Sequence, residues 1–269
     1  MTAIREYGLV IHEFDPWFNF RATQYLADHG LTKFFQWFDY MSWYPLGRPV
    51  GSTIYPGMQI VSVWIWEILN AAGVEMSLND VCCYVPAWFG VCATYLLGLL
   101  AYECTDSVNV AIFAAAIMSI IPAHLMRSIG GGYDNESVAM TAMMLTFYLY
   151  CLSLRQNGKY WIVGIAAGGA YGFMAATWGG YVFVINMVGL HAGLLALWRY
   201  SSKLHRAYSL FFIVGTYLAT RVPVISMTPL KSLEQMMPLL VFLALQLFEL
   251  VEIYRVKNNI SKDQVRLIR

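Results

Sequence analysis

After residue 87 the chain alternates between long apolar stretches and short polar connections. Seven of the stretches are long enough to cross roughly 30 Å of hydrocarbon as an α-helix. They run over residues 88–103, 109–126, 138–154, 161–178, 181–198, 207–222 and 236–254. This pattern predicts an all-α fold, a polytopic membrane helix bundle over residues 88–254 with about seven spans.

The distribution of basic residues predicts the orientation of these spans. Residues 155–159, 199–206 and 255–269 are rich in Lys and Arg, whereas the alternate connections are poor in them. Since basic loops accumulate on the cytoplasmic side, we expect these three segments there, the last as a cytoplasmic basic tail. The connection at 127–136 and all of residues 1–87 then face the opposite, lumenal or external, compartment.

One further apolar run, residues 58–74, is roughly 17 residues long and contains Glu67 and Asn70. Short interrupted runs often lie in the membrane interface. If this run crossed the membrane, the polar segments on its two sides, around residue 15 and at 127–136, would face different compartments. We therefore expect it to be an interfacial or lumenal helix within a long first loop over residues 1–87.

Composition supports membrane insertion and excludes other classes. The chain has 269 residues, of which 59% are hydrophobic and 12% charged, and its mean hydropathy is +0.54, whereas soluble domains carry about 25% charged residues. A net charge of +1 predicts no nucleic-acid partner. The five cysteines show no paired CxxC spacing and are expected to be ordinary buried side chains.

The first candidate for chemistry is Asp15, in the stretch HEFDPWFNFR at residues 12–21. Pro16 favours an extended backbone at Asp15, so the carboxylate is expected to project from a helix boundary. The structural alternative is that Asp15 is only the N-cap of the following helix.

The second candidate is the stretch RSIGGGYDNE at residues 127–136. Its three glycines permit a sharp turn with exposed amides, and Asp134 and Glu136 are spaced so that both carboxylates can address one hard cation. Together with Arg127 they favour an ion or phosphate site. The structural alternative is that Asp134 or Asn135 merely caps the next helix.

Two other features carry weaker predictions. Trp178-Gly-Gly-Tyr181 reads as a tight lumenal turn with aromatic anchors. The small residues of GIAAG, at 164–168, predict a face on which two helices pack closely.

Several motifs, taken in order, resemble the catalytic subunit of oligosaccharyltransferase, and the resemblance covers essentially the whole chain. They are HEFDPWFNFRAT, WYPLGR, GSTIYPG, RSIGGGYDNE, TWGGYVF and RYSSKL. Members of this family have a GT-C-type glycosyltransferase transmembrane domain. They transfer a preassembled oligosaccharide from a dolichol-type pyrophosphate lipid to the Asn of Asn-X-Ser/Thr sequons, on the lumenal face of the endoplasmic reticulum membrane.

The resemblance implies roles for five residues. Asp15 and Asp134 would be catalytic ligands of one Mg²⁺ or Mn²⁺ ion, with Glu136 in its immediate shell. Arg127 would face the lipid-linked pyrophosphate, and Trp178 would lie near the donor groove. The partners implied are the lipid-linked oligosaccharide, a sequon-bearing polypeptide, membrane lipid and other subunits of the enzyme.

The chain also departs from the family pattern. The family has a membrane helix before EFDPW, and it continues with further spans and a lumenal domain that contains a Trp-Trp-Asp motif, which this sequence lacks. The resemblance is therefore to the N-terminal part only, and we expect the chain to transfer no glycan on its own. A transporter with acidic coupling residues and a non-catalytic remnant are the alternatives. Transporter sites usually lie near the middle of the membrane, whereas Asp15, Asp134 and Glu136 fall at loop ends.

Overall fold

The computed structural model describes residues 2–259, apart from the side chains of residues 156–158. The predicted basic tail, residues 255–269, therefore lies mostly outside the described residues. Within the described part, the chain folds into α-helices joined by turns, and its β pairing is limited to one bridge between Asp39 and Arg48. The prediction of an all-α fold is confirmed.

The first seven helices lead from the amino terminus to the second acidic motif. They are α1 (Thr2–Tyr7), α2 (Phe14–Phe35), α3 (Val50–Thr53), α4 (Gly57–Ala71), α5 (Leu78–Thr105), α6 (Val108–Ile120) and α7 (Pro122–Arg127). Six more follow the motif. They are α8 (Asn135–Gly158), α9 (Val163–Thr177), α10 (Tyr181–Arg199), α11 (Ser202–Thr220), α12 (Thr228–Lys231) and α13 (Met236–Lys257).

Each of the predicted spans coincides with helix, but the helices differ in length. Four segments of the described chain are long and apolar enough to cross a membrane: Leu78–Thr105, Asn135–Arg155, Tyr181–Arg199 and Leu233–Lys257. Helices α6 and α9 are apolar but shorter. The predicted span 109–126 is in fact two helices, because Pro122 starts α7 and favours an extended conformation at Ile121.

Helix α5 begins earlier than the apolar pattern indicates. Ser77 and Asp80 form a capping box, in which the Ser77 hydroxyl accepts from the Asp80 backbone N–H and the Asp80 carboxylate accepts from that of Ser77. The helix continues through Pro86. The predicted boundary between residues 87 and 88 therefore falls inside a helix, because the capping box, rather than the first long apolar run, determines where the helix starts.

The run at 58–74 forms helix α4, which is not among the segments long enough to cross a membrane. Near its start Gln59 contacts Asn19 of α2. Near its end the Trp66 indole donates to the carbonyl of Met76, just before α5. The start of α4 therefore contacts the helix that carries the first acidic motif, and its end contacts the segment that leads into α5.

Close packing of α9 against α11 organises the centre of the bundle. A Cβ atom on Gly168 would lie 2.8 Å from the Phe211 carbonyl oxygen, and one on Gly172 would lie 2.5 Å from Leu218. Gly164 is equally close to Ala207. The predicted small-residue face is confirmed, and it lets the two backbones approach each other around buried Tyr171.

Candidate functional site

Asp15 lies in the first turn of α2, so its backbone is helical rather than extended. The N-cap is Glu13, whose φ is 73° and whose side chain makes no capping hydrogen bond. The prediction of an extended Asp15 and its alternative as an N-cap are both wrong. Proline is tolerated here because the first helical N–H groups have no partner within the helix, and a carboxylate in this turn is favoured by the helix dipole.

The glycine-rich loop packs closely against its neighbours, and two of its backbone N–H groups donate hydrogen bonds within the protein. Gly131 has φ of 89°, and a Cβ there would overlap the Val10 carbonyl. Its N–H donates to the Cys83 carbonyl, and the N–H of Gly132 donates to that of Ile129. These amides are therefore not available to a phosphate, contrary to the expectation from sequence.

Asp134 caps α8 and remains half-buried at the helix start. Its Oδ1 atom accepts the backbone N–H of Asn135 at 2.8 Å, and its own carbonyl accepts the Ser137 hydroxyl at 2.7 Å. The capping alternative is confirmed for Asp134. Capping uses one oxygen of the carboxylate, so it does not exclude a role for the other.

Arg127, the last residue of α7, lies between the two carboxylates of the second motif. Its Nη1 atom is 3.5 Å from Asp134 Oδ2 and 3.8 Å from Glu136 Oε2. The arginine side chain is 51% exposed, whereas those of Asp134 and Glu136 are 23% and 24% exposed. Two partly desolvated carboxylates thus share one solvent-accessible positive charge.

The two acidic motifs meet through Asn19. Its Nδ2 atom lies 3.3 Å from Asp134 Oδ1 and 3.3 Å from the Tyr133 carbonyl oxygen, and its Oδ1 accepts from Gln59 Nε2 at 3.2 Å. Asn19 is 6% exposed and Gln59 is fully buried. Neither residue is predicted from the sequence. The available signals were an asparagine one helical turn after Asp15 and a glutamine near the start of the apolar run at 58–74.

Tyr133 anchors the loop between α2 and α4. Its phenol oxygen donates to Ser62 Oγ at 2.7 Å and lies 2.8 Å from Thr23 Oγ1. Burial raises the pKa of this fully buried phenol well above its ordinary value. The phenol is therefore a neutral hydrogen-bonding group that fixes the residue next to Asp134.

Asp15 itself stands apart from these contacts. Its side chain is exposed and makes no hydrogen bond or ion pair with another described residue. In the described part of the chain, no group of three His, Cys, Asp or Glu side chains is arranged to hold a metal. Asp15 nevertheless precedes Asn19 by one helical turn, and residues four apart share a helix face. Its side chain is thus on the face of α2 that meets Asp134.

Trp178 lies at the end of α9, in the tight turn predicted from sequence. Its carbonyl accepts the N–H of Tyr181, and a Cβ on Gly180 would overlap its ring. The neighbouring Thr177 packs against Gly57 at the start of α4. The hydrogen bonds and ion pairs around Asp134 in the described chain do not include Trp178, so it borders this polar cluster through α4.

The fold and the site together define a polytopic membrane protein with carboxylates, an arginine and buried amides gathered at the ends of its helices. Residues 3–268 match the family model described as Oligosaccharyl transferase STT3, N-terminal. The chain therefore belongs to this family, as the motifs predicted. The match does not support the transporter alternative.

Proteins with similar sequences are named as STT3 subunits of the same kind of enzyme. The dolichyl-diphosphooligosaccharide--protein glycosyltransferase subunit stt3 of Schizosaccharomyces pombe is 39% identical over 270 residues, a match that covers 100% of this chain and 35% of that protein. The subunit stt-3 of Caenorhabditis elegans is 40% identical over 268 residues, covering 98% and 34%. This chain thus spans about a third of the length of these relatives.

Two solved structures share the fold. The Archaeoglobus fulgidus oligosaccharyltransferase in its apo form matches with a TM-score of 0.66 at 19% identity, over 94% of this chain and 32% of that one. The oligosaccharyltransferase AglB from the same organism, in complex with an inhibitory peptide and a dolichol-phosphate, matches with a TM-score of 0.60 at 18% identity, over 95% and 35%.

Proposed function

We propose that this chain is the N-terminal part of the catalytic subunit of an oligosaccharyltransferase. The activity is the transfer of a preassembled oligosaccharide from a lipid pyrophosphate to the asparagine of an Asn-X-Ser/Thr sequon. The proposed setting is the endoplasmic reticulum membrane, with the acidic site on the lumenal face. Family membership and the alternation of basic and non-basic loops support this setting.

The observation that carries the proposal is the contact between Asn19 and Asp134. It joins the first turns of α2 to the start of α8, so the two acidic motifs belong to one site. Asp15 is one turn from Asn19, and Glu136 and Arg127 lie beside Asp134. Of the five residues that the family resemblance selects, Arg127, Asp134 and Glu136 therefore lie at this junction, Asp15 is one helical turn from it, and Trp178 lies beyond α4.

The donor atoms of these carboxylates are of the type that suits a divalent cation. Mg²⁺ and Mn²⁺ prefer carboxylate oxygens, and the Asp134 and Glu136 carboxylates already face one positive group, the Arg127 guanidinium. With Asp15 they would hold the ion. When bound, such an ion neutralises charge that develops on a departing pyrophosphate.

The chain's own side chains supply the remaining chemistry. The Arg127 guanidinium is half exposed, and its planar fork of N–H donors suits phosphate oxygens. The exposed Asp15 carboxylate can accept hydrogens from the acceptor amide, whose nitrogen is a poor nucleophile because its lone pair is delocalised into the carbonyl. Carboxylates that together accept both amide hydrogens would reduce that delocalisation.

The test is a chimera in which this chain replaces the matching part of the S. pombe subunit. We expect the unaltered chimera to glycosylate a sequon peptide from a lipid-linked donor. Asp15→Asn should lower transfer about 100-fold or more, the scale of a lost proton acceptor, and leave donor binding intact.

The neighbouring exposed carboxylate provides a matched control. Glu13→Gln should keep transfer within a few fold, because Glu13 contacts only His12, at 3.8 Å, among the described ion pairs. Undiminished transfer by Asp15→Asn would refute the role of Asp15. A chimera that assembles normally but transfers nothing would contradict the assigned activity.

A further inference from the structure

The hydrogen bonds around Asn19 permit only one orientation of its amide. Two acceptors, the Tyr133 carbonyl and Asp134 Oδ1, lie 3.3 Å from the same terminal atom. An amide oxygen at that position would oppose both of them, so the atom must be the NH₂ group. The Asn19 oxygen then faces Gln59, whose nearest terminal atom, 3.2 Å away, must in turn be its NH₂ group.

Burial of Gln59 costs free energy, because one of its polar atoms has no partner in the described part of the chain, and helix packing alone does not require a glutamine here. It is fully buried, and its Oε1 atom has no hydrogen-bond partner among the described residues. Buried polar atoms usually find a partner, so an apolar side chain would suit this position better if only packing mattered. What Gln59 provides is the donor that fixes the Asn19 amide.

The hydrogen bonds from Gln59 to Asn19 and from Asn19 to Asp134 determine which oxygen of the Asp134 carboxylate remains available. Its Oδ1 atom receives two N–H groups, one from the Asn135 backbone at 2.8 Å and one from Asn19. A carboxylate oxygen has two lone pairs, so Oδ1 is saturated. Oδ2 lies 3.5 Å from Arg127 Nη1, and the Glu136 side chain neighbours the same carboxylate. Oδ2 is the oxygen that retains a lone pair for a cation.

We propose that Asn19 and Gln59 are positioning residues that hold the Asp134 carboxylate so that Oδ2, rather than Oδ1, would be available to a divalent cation. This inference rests on the proposed function, since it assumes the cation site assigned to Asp134. Groups that hydrogen-bond to metal ligands commonly set cation affinity, because they fix the orientation of the ligand.

Other hydrogen bonds fix the positions of Asn19 and Tyr133. Thr23, one turn after Asn19, donates to the Asn19 backbone carbonyl at 2.9 Å and contacts the Tyr133 phenol. Ser62, one turn after Met58 of α4, accepts from the same phenol. Helices α2 and α4 therefore both hydrogen-bond to Tyr133, in the loop that carries Asp134. The Asn19 amide lies between these contacts and Asp134.

The test measures Mn²⁺ binding to the purified 269-residue chain in detergent by electron paramagnetic resonance, with thermal unfolding recorded in parallel. Asn19→Leu keeps the size of the side chain and removes its hydrogen bonds. Gln59→Glu, when ionised, can only accept, so it turns the Asn19 oxygen toward Asp134. We expect both variants to raise the Kd for Mn²⁺ about 10-fold or more.

Matched controls separate positioning from folding. Thr141→Val removes a buried bond between α8 and the Phe89 carbonyl of α5, at 2.7 Å, without touching the site. It should lower the unfolding temperature while keeping the Kd within about twofold of the unaltered chain, since distant sites behave independently. Asp134→Asn should abolish binding.

The outcomes distinguish this inference from the proposed function. If Asp134→Asn abolishes Mn²⁺ binding but Asn19→Leu and Gln59→Glu leave it unchanged, the positioning role is wrong and the cation site stands. If the unaltered chain binds no Mn²⁺, the cation site fails, and the inference with it. If Asn19→Leu does not fold, the Gln59→Glu result decides.

Discussion

Asn19 Nδ2 lies 3.3 Å from Asp134 Oδ1, although 115 residues separate the two along the chain. The contact joins the start of α2 to the start of α8 and brings the face that carries Asp15 to the second acidic motif. If the chain spans a membrane as the apolar pattern predicts, this contact requires both motifs to lie on the same side of it.

Membrane sidedness can be tested by cysteine labelling. After the exposed Cys92 and Cys104 are replaced by serine, Glu13→Cys and Arg127→Cys should react with an impermeant maleimide from one side of sealed vesicles. Ser201→Cys, in a basic connection, should react only from the other side. Labelling of residues 13 and 127 from opposite sides would end the one-site interpretation.

Removal of the Arg127 charge should affect binding more than folding. Arg127→Gln breaks two partly exposed ion pairs at 3.5 and 3.8 Å, and such pairs contribute about 0–1 kcal/mol to the free energy of unfolding. We expect a tenfold or larger loss of affinity for a dolichyl pyrophosphate donor, measured on the purified chain. Arg127→Lys keeps the positive charge and should retain part of the affinity for the donor. Equal donor affinity in all three proteins would show that Arg127 does not face the pyrophosphate.

The packing of α9 against α11 predicts opposite effects at adjacent glycines. Gly168→Val should lower the free energy of unfolding by about 1–3 kcal/mol, because its side chain would meet the Phe211 carbonyl and Val214. Gly169→Ala should be neutral or stabilise by up to about 1 kcal/mol, since a Cβ there meets nothing within 4 Å. Thermal unfolding in one detergent provides the comparison, and similar losses at both positions would contradict the packing.

The Arg21–Asp39 pair predicts a pH dependence of stability. Burial alone would raise the pKa of the Asp39 carboxyl, but hydrogen bonds from Arg21, Ser42 and the Met41 backbone outweigh it and lower the pKa from 3.8 to about 2. A group whose pKa is lowered by folding stabilises the fold above its unfolded pKa, and this contribution disappears as the pH falls through the folded value.

We therefore expect Asp39→Asn to lose about 2 kcal/mol of unfolding free energy at pH 7, from a shift of nearly two pKa units. The difference from the unaltered chain should shrink between about pH 4 and pH 2. Asp28→Asn, on the exposed side of α2, is the matched control and should keep the free energy of unfolding at pH 7 within about 0.5 kcal/mol of that of the unaltered chain. A constant deficit for Asp39→Asn across this range would show that the lowered pKa is not the cause.

Much of the site's composition could be read from the sequence. Arg127, Asp134 and Glu136 lie within ten residues, so a short loop brings them together whatever the rest of the fold does. The backbone at Asp15 differs from the prediction, because the preference of a residue before proline is weak compared with the start of the helix at Phe14. The start of α5 was missed because a capping box overrode the apolar pattern.

The sequence by itself determined the membrane class, the helical content and the small-residue face of α9, because apolar length, charge and residue size are local properties. Only the tertiary structure decided that Asn19 and Gln59 orient Asp134, that two loop amides are already paired, and that Asp15 stays exposed. These features depend on which side chains meet when α2, α4 and α8 pack together. No periodicity along a single segment encodes the distance between atoms that are more than a hundred residues apart.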